Sequence, residues 1–208
     1  MKKLFVLISI ALFVVIAALP LSACKNSSFV GEYRVNTLSC MGLTANQKSF
    51  KKYLNSRSEA DKNYNSLYTP LSLLFGANLT LSENNNAKLV IANFESSLTE
   101  NANYSTTLES AQNKGYIKDG SLVIENLKWS VDKSQKNAYF IYAVDSDENK
   151  ISLSEIWGDK LFSADHIHAR IENGKLACSI KVCIYSTDES DKTTVVLTTN
   201  IIINMKNK

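Results

Sequence analysis

The segment DHIHARIENGKLACSIKVCIY, residues 165–185, constrains the fold most. Asn-Gly between alternating runs is the strongest short-range hairpin signal, because both residues tolerate the positive φ of a type I′ turn. A two-residue loop at Asn173-Gly174 pairs Glu172 with Lys175, Ile171 with Leu176, Ala169 with Cys178 and Ile167 with Ile180, an apolar face. The opposite face pairs Arg170 with Ala177, His168 with Ser179 and His166 with Lys181. Such period-two alternation describes a half-buried antiparallel sheet, not a helical bundle.

The same period runs through most of the chain. A first strand is expected at 29–36, with Phe29, Gly31, Tyr33 and Val35 on one face, and a turn over 38–43. Thr44 fits an N-cap, with Gln47 closing a capping box. Helical spacing of Phe50, Tyr53, Leu54, Tyr64, Leu67, Tyr68 and Leu71 places one broken helix or two short ones over 45–74, with Pro70 disturbing the second. After Gly76 the reading is a hairpin turning at Asn84–Asn86, a polar loop over 95–113, and a hairpin at Asp119-Gly120. Further strands follow through Leu127, Trp129 and Val131, at 137–144, 150–156 and 160–163. The hairpin above and a long final strand, TTVVLTTNIIIN, end the pattern. About ten strands at this spacing predict a mainly β fold, an antiparallel barrel or β-sandwich with a short helical insertion near the N-terminus.

The N-terminus follows a different rule. Lys2 and Lys3 precede an apolar run from Leu4 to Leu19, then Pro20 and the small residues Ser22 and Ala23, the layout of a secretory signal peptide. The run is short of the roughly 20 apolar residues that span a bilayer. Leu21-Ser22-Ala23-Cys24 resembles the lipobox of bacterial lipoproteins. The resemblance implies a diacylglycerol thioether on Cys24 and cleavage just before it. Two acyl chains give stable anchoring where one does not. The expected organisation is a signal peptide at 1–23, a lipidated tether at 24–28 and one β-rich domain at 29–208. The domain is then held on the extracytoplasmic side of a bacterial membrane, its membrane partner reached through that lipid. A second resemblance lies in the order of elements over residues 29–156. FVGEYRV, a helical insertion, the hairpin LTLSENNNAKLVI and the tryptophan strand LKWSV are similar to lipocalin-like bacterial lipoproteins. It implies a lipocalin-like barrel. The polar 95–113 segment and the long C-terminal hairpin depart from that order and set strict closure in question.

Formal charge narrows the function. It is +3 over 208 residues, and removing Lys2 and Lys3 leaves about +1, which gives no electrostatic footprint for nucleic acid. With Cys24 lipidated, Cys40, Cys178 and Cys183 allow one disulfide at most. Cys178 and Cys183 read as packing residues, or one of them pairs with Cys40, as an exported protein permits. No CxxC or CxxxH spacing marks a zinc ribbon. His166 and His168, the only histidines, share a strand face but lack a third ligand, and Lys181 opposite would repel a cation; they read as an exposed or rim-facing pair. There is no nucleophile elbow, phosphate loop or EF-hand spacing. The acidic stretches at 145–148 and 188–191 read as solvated turns. Neither a catalytic set, a metal nor a cofactor is expected. Tyr33, Trp129, Tyr139, Phe140 and Tyr142 are candidates for core or for lining a ligand cavity. The expected function is a membrane-anchored, non-catalytic binding module for a small apolar or envelope-derived ligand. The alternative is a structural or protein-interaction lipoprotein without a ligand pocket.

Overall fold

A computed structural model describes residues 29–56, 68–99, 104–158, 161–173, 175–187 and 193–208, without the side chains of 183–187 and 193–198. The signal segment, Cys24 and the tether lie outside the described residues.

Eight antiparallel strands form a closed barrel. In chain order its walls are β1 (Gly31–Cys40), β3 (Ala77–Leu81), β4 (Asn86–Ile91), β6 (Ser121–Val131), β7 (Ala138–Val144), β9 (His166–Glu172), β10 (Lys175–Thr187) and β11 (Thr193–Asn207). Each pairs with the next, and β11 returns to β1. This is an up-and-down barrel, and it decides against the sandwich. The question raised by the C-terminal departure is answered by that departure itself, because the last strand is the one that closes the wall. Closure leaves no wall strand as an open edge along its paired length, which matters for so β-rich a chain. Three short strands add to the wall: β2 (Leu43–Ala45) on β1, β5 (Ile117–Lys118) on β6 and β8 (Lys150–Ile151) on β7.

Two bulges explain why the alternation does not run through in one phase. In β1, Val35 pairs with Met205 and Thr37 with Asn204, so Asn36 is extra. The inward set therefore passes from Tyr33 and Val35 to Leu38, and the strand continues to Cys40 where a turn over 38–43 was expected. In β6, Leu89 faces Ile124 and Ala87 faces Leu127, which places an extra residue at Glu125–Asn126. Leu122 and Ile124 point inward before it, Leu127 and Trp129 after it, so two expected strands are one. The Asn126 amide donates to the Val144 carbonyl across the bulge. A bulge resets the facing of everything downstream, the local price of a curved wall.

The two barrel ends differ. The β3–β4, β6–β7 and β9–β10 turns gather at the end where Phe29 enters. Asp119, Gly120 and Asn173 have positive φ, as their turns require. The connections carrying helices lie at the other end. Here α1 (Gln47–Asn55) and α2 (Tyr68–Leu74) lie within the 45–74 region. The α1 cap is Asn46, whose Oδ1 accepts from Ser49 N while Ser49 Oγ accepts from Asn46 N. The expected Thr44 cap is incorrect: Thr44 sits in β2 and its hydroxyl bonds that of Ser39. Pro70 is buried within α2.

Three further expectations are corrected at this end. The 95–113 segment is not a loop; it holds α3 (Phe94–Thr99) and α4 (Ser105–Asn113). Their buried residues are Phe94 and Leu98 on the first, and Thr107 and Ala111, after Tyr104, on the second, one pair to each short helix and too few turns to stand out as a periodic stripe. The strand expected over 150–156 ends after Ile151 and gives way to α5 (Ser154–Trp157). Residues 161–163 are not in a strand either. They fold back so that Ala164 N bonds Ser154 Oγ and the Phe162 carbonyl accepts from Trp157 Nε1 at 2.8 Å.

Candidate functional site

The barrel interior is filled. At the entry end Phe29 stacks on Tyr139 with ring centres 3.6 Å apart and meets the Trp129 ring edge-on at 4.9 Å. Trp129 Nε1 donates to the Ser82 carbonyl and Tyr33 Oη to the Phe29 carbonyl. Burial pushes the phenol pKa values of Tyr33 and Tyr139 upward. At the helical end Leu74 and Trp157, both essentially inaccessible, reach between the strands. Trp157 packs edge-on to Phe162 at 5.0 Å. The void left among the lining residues is about 20 Å³, room for about one water and far below the roughly 300–1,000 Å³ of a small-molecule pocket. Three of the four tyrosine and tryptophan candidates, Tyr33, Trp129 and Tyr139, are therefore packed on one another and on Phe29. Trp157, which completes the filling, carried no sequence signal beyond its type, because its place depends on how residues 152–165 fold back.

Tyr142 is elsewhere. It and Phe140 point outward from β7, half-buried on a wall whose outer face is mostly polar. The β7–β9 register sets Phe140 beside His168 and Tyr142 beside His166. Phe140 meets the His166 ring edge-on at 5.0 Å and the tilted His168 ring at 5.4 Å. The ammonium of Lys150 lies 4.1 Å over the Tyr142 ring. Two hollows open on this wall, of about 440 and 420 Å³. The first is polar, with Ser154, Ser179, Lys181 and Asn200 among its lining; the second is walled by Phe140, Tyr142, Lys150 and Ile151. Ser152, Asp165 and His166 belong to both, so the hollows form one cleft. Ser152 Oγ donates to Asp165 Oδ1 at 2.9 Å and fixes that carboxylate at the junction.

The histidine pair thus sits where the hairpin register placed it, on the outer face with Ser179 opposite His168. Sequence alone missed a third group. Asp132, buried in the β6–β7 turn, accepts from Ser134 N at 2.8 Å and Ser134 Oγ at 2.6 Å, and its Oδ2 lies 3.4 Å from His168 Nε2. The Ser134 hydroxyl first, then its N–H, holds the Asp132 pKa below the usual carboxylate range. The signal was Asp132-Lys133-Ser134, an Asx turn. Burial, the largest influence, lowers the pKa of His166 from 6.5, favouring the neutral ring. Among the described residues no three His, Cys, Asp or Glu side chains are placed to hold a metal ion.

Of the two pairings open to Cys40, the one with Cys178 does not form, and the one with Cys183 lies outside the described side chains. Cys40 and Cys178 are free thiols, and the Cys183 side chain is not described. Cys40 pairs with Ile201 on β11 while Cys178, on β10, pairs with Ile203. One intervening strand and a two-residue offset separate them by roughly 12 Å, beyond disulfide reach. Burial pushes the Cys178 thiol up to about 12 and raises that of Cys40.

The fold and the site define a class: a closed up-and-down barrel with a filled interior and a cleft on its outer wall. No family model, no curated protein and no solved structure matches the chain. No helix among the described residues is long and apolar enough to cross a membrane.

Proposed function

We propose that this chain is an exported bacterial lipoprotein, anchored through lipid on Cys24. In this reading its barrel is a non-catalytic module that binds an envelope-derived ligand in the outer cleft. The observation that carries the reading is the contrast between a void of about 20 Å³ inside and a cleft of two hollows, each above 400 Å³, outside. A hollow of that size with a few converging polar groups suits a small-molecule site, which typically spans roughly 300–1,000 Å³. The anchor reading rests on the lipobox-like Leu21–Cys24, which ends five residues before Phe29, a buried residue of the barrel core. A barrel so close to its anchor stays near the membrane surface, within reach of envelope components.

Mass spectrometry of the N-terminal peptide from protein purified out of its own membrane tests the anchor. A diacylglyceryl adduct on Cys24 is expected, and an unmodified Cys24 in the wild-type chain refutes it. The cleft is tested by the imidazole proton signals of His166 and His168, which are unambiguous because the chain has no other histidine. Solubilised cell-envelope material should shift at least one of them; unmoved signals speak against the cleft as a binding site.

The protein-interaction reading has one observation in its favour. Met41 and Leu43, 62% and 78% exposed, project from the β1–β2 tip. A photoreactive side chain at position 43 that cross-links to an envelope protein, with the histidine signals silent, would favour that reading.

A further inference from the structure

The outer face of a water-exposed antiparallel barrel is expected to be polar. Phe140 and Tyr142 break that rule next to each other, and the pairing with β9 adds His166 and His168 beside them. Packing inside the barrel does not explain these rings, since the core is built from the alternate residues Tyr139, Ile141 and Ala143. They form an aromatic floor in one hollow, while the adjoining hollow presents hydroxyl, amide, ammonium and carboxylate groups. The charges nearly cancel: Lys150 and Lys181 are cationic, Asp165 is anionic, and Asp132 is engaged with Ser134 and His168. A purely apolar ligand would desolvate Lys181 and leave the Asp165 carboxylate with Ser152 as its one hydrogen-bond donor, which is unfavourable for buried charge. A polyanion would meet the Asp165 carboxylate at the centre of the cleft. What suits an aromatic floor beside mixed donors and acceptors is a molecule with an apolar C–H face and an edge of hydroxyls.

We propose that the cleft binds a saccharide, an inference that rests on reading the outer cleft as the binding site. Tyr142 supplies the stacking face and Asp165 accepts from sugar hydroxyls. Ser154, Ser179, Asn200 and Lys181 line the hollow into which a second sugar unit would extend. Lys150 now covers the Tyr142 ring, but an exposed cation–π contact is weak. Its ammonium is on an exposed, flexible side chain and can turn aside at that small cost.

Full-length protein purified in detergent, screened on an array of mono- to hexasaccharides of glucose, galactose, mannose and their N-acetyl amines, tests this. At least one glycan should be retained, and its titration should shift the signals of His166 and His168. Tyr142→Ala and, separately, Asp165→Asn should weaken binding by about tenfold or more at an unchanged melting temperature. Lys206→Ala, at an exposed position of β11 that lines neither hollow, should leave binding unchanged. Tyr142→Phe should retain binding, so the stacking claim remains testable even if the alanine variant unfolds. No retained glycan, or one that leaves the imidazole signals unmoved, overturns the proposal. Phosphatidylglycerol vesicles and a hydrophobic fatty-acid probe, decanoate, are run in parallel. If only these move the signals, the saccharide assignment falls and the cleft remains a site. If neither these nor any glycan moves them, both readings fall.

Discussion

Glu125 shows how a single side chain on the outer wall senses pH. It lies between Lys88 at 2.7 Å and Lys118 at 2.6 Å, bridging β4 and β5 from the bulge in β6. The Lys118 hydrogen bond first, then that of Lys88, lowers its pKa from 4.5 to about 2. A carboxylate whose folded pKa is depressed stabilises the fold above its unfolded pKa, and that contribution is lost as pH falls through the folded value. The contribution of Glu125 is thus full above about pH 4.5 and fades toward pH 2. Asp132 and Asp145, lowered chiefly by Ser134 and by the Asn149 N–H, act in the same direction. The expected outcome is a melting temperature that drops as pH falls across this window, and drops less steeply in Glu125→Gln. Parallel curves for the two proteins would show that the pair of lysines contributes nothing. The exposure of Glu125 keeps the effect small, since solvent screens such pairs.

At the scale of elements, the helices at the far barrel end are joined by close approach rather than by a broad apolar stripe. α5 ends at Gly158, whose φ is +80°, and a Cβ there would stand 2.8 Å from Thr107 Oγ1 on α4. Both features require glycine: the left-handed backbone is costly for other residues, by roughly 1–2 kcal/mol, and the space is already taken. Lys114, at the C-terminal end of α4, adds a hydrogen bond from its Nζ to the Glu155 carbonyl. Gly158→Ala should therefore destabilise by about 2 kcal/mol, read as a shift of the urea midpoint. The same approach seats Trp157 in the barrel mouth, so the variant should also make tryptophan fluorescence more solvent-quenched. An unchanged midpoint would mean that the contact between α4 and α5 is slack. This pairing was invisible in the sequence because Thr107, Ala111 and Gly158 are small residues. Their burial follows from contact, and none advertises itself by hydrophobicity.

For the whole molecule the decisive contact is β1 with β11, which joins Tyr33 to Asn207 and Cys40 to Ile201. It closes nearly the full chain length into one wall. A chain ending at Asn200 lacks every β11 residue that pairs with β1 and leaves β1 and part of β10 as open edges. Such edges template association. That truncated chain should elute as aggregates and lose its cooperative melt. A monomeric, cooperatively folding product would show that the fold does not need the pairing of β11 with β1. The long separation also makes closure a late and slow event in folding, because loop entropy must be overcome before the contacts form.

The residue pattern by itself determined what is local. Alternation located most of the strands, Asn173-Gly174 and Asp119-Gly120 set two hairpins, and the register at Asn173 put His166 and His168 on the outer face. These depend on side chains within a few positions of one another, where turn geometry and the pleat leave little choice. What only the tertiary structure decided is non-local. Barrels and sandwiches use the same alternating strands and differ in whether the first and last strands meet. Whether an inward aromatic lines a cavity or fills it depends on Trp157 and Leu74, which arrive from separate connections. The cleft joins β7 to β9 across the fold-back at 152–165, so Tyr142 meets His166 and Asp165 only once the wall is assembled. Alternation specifies which face a residue takes, but not which distant strand will lie beside it, and the cleft is a matter of neighbours.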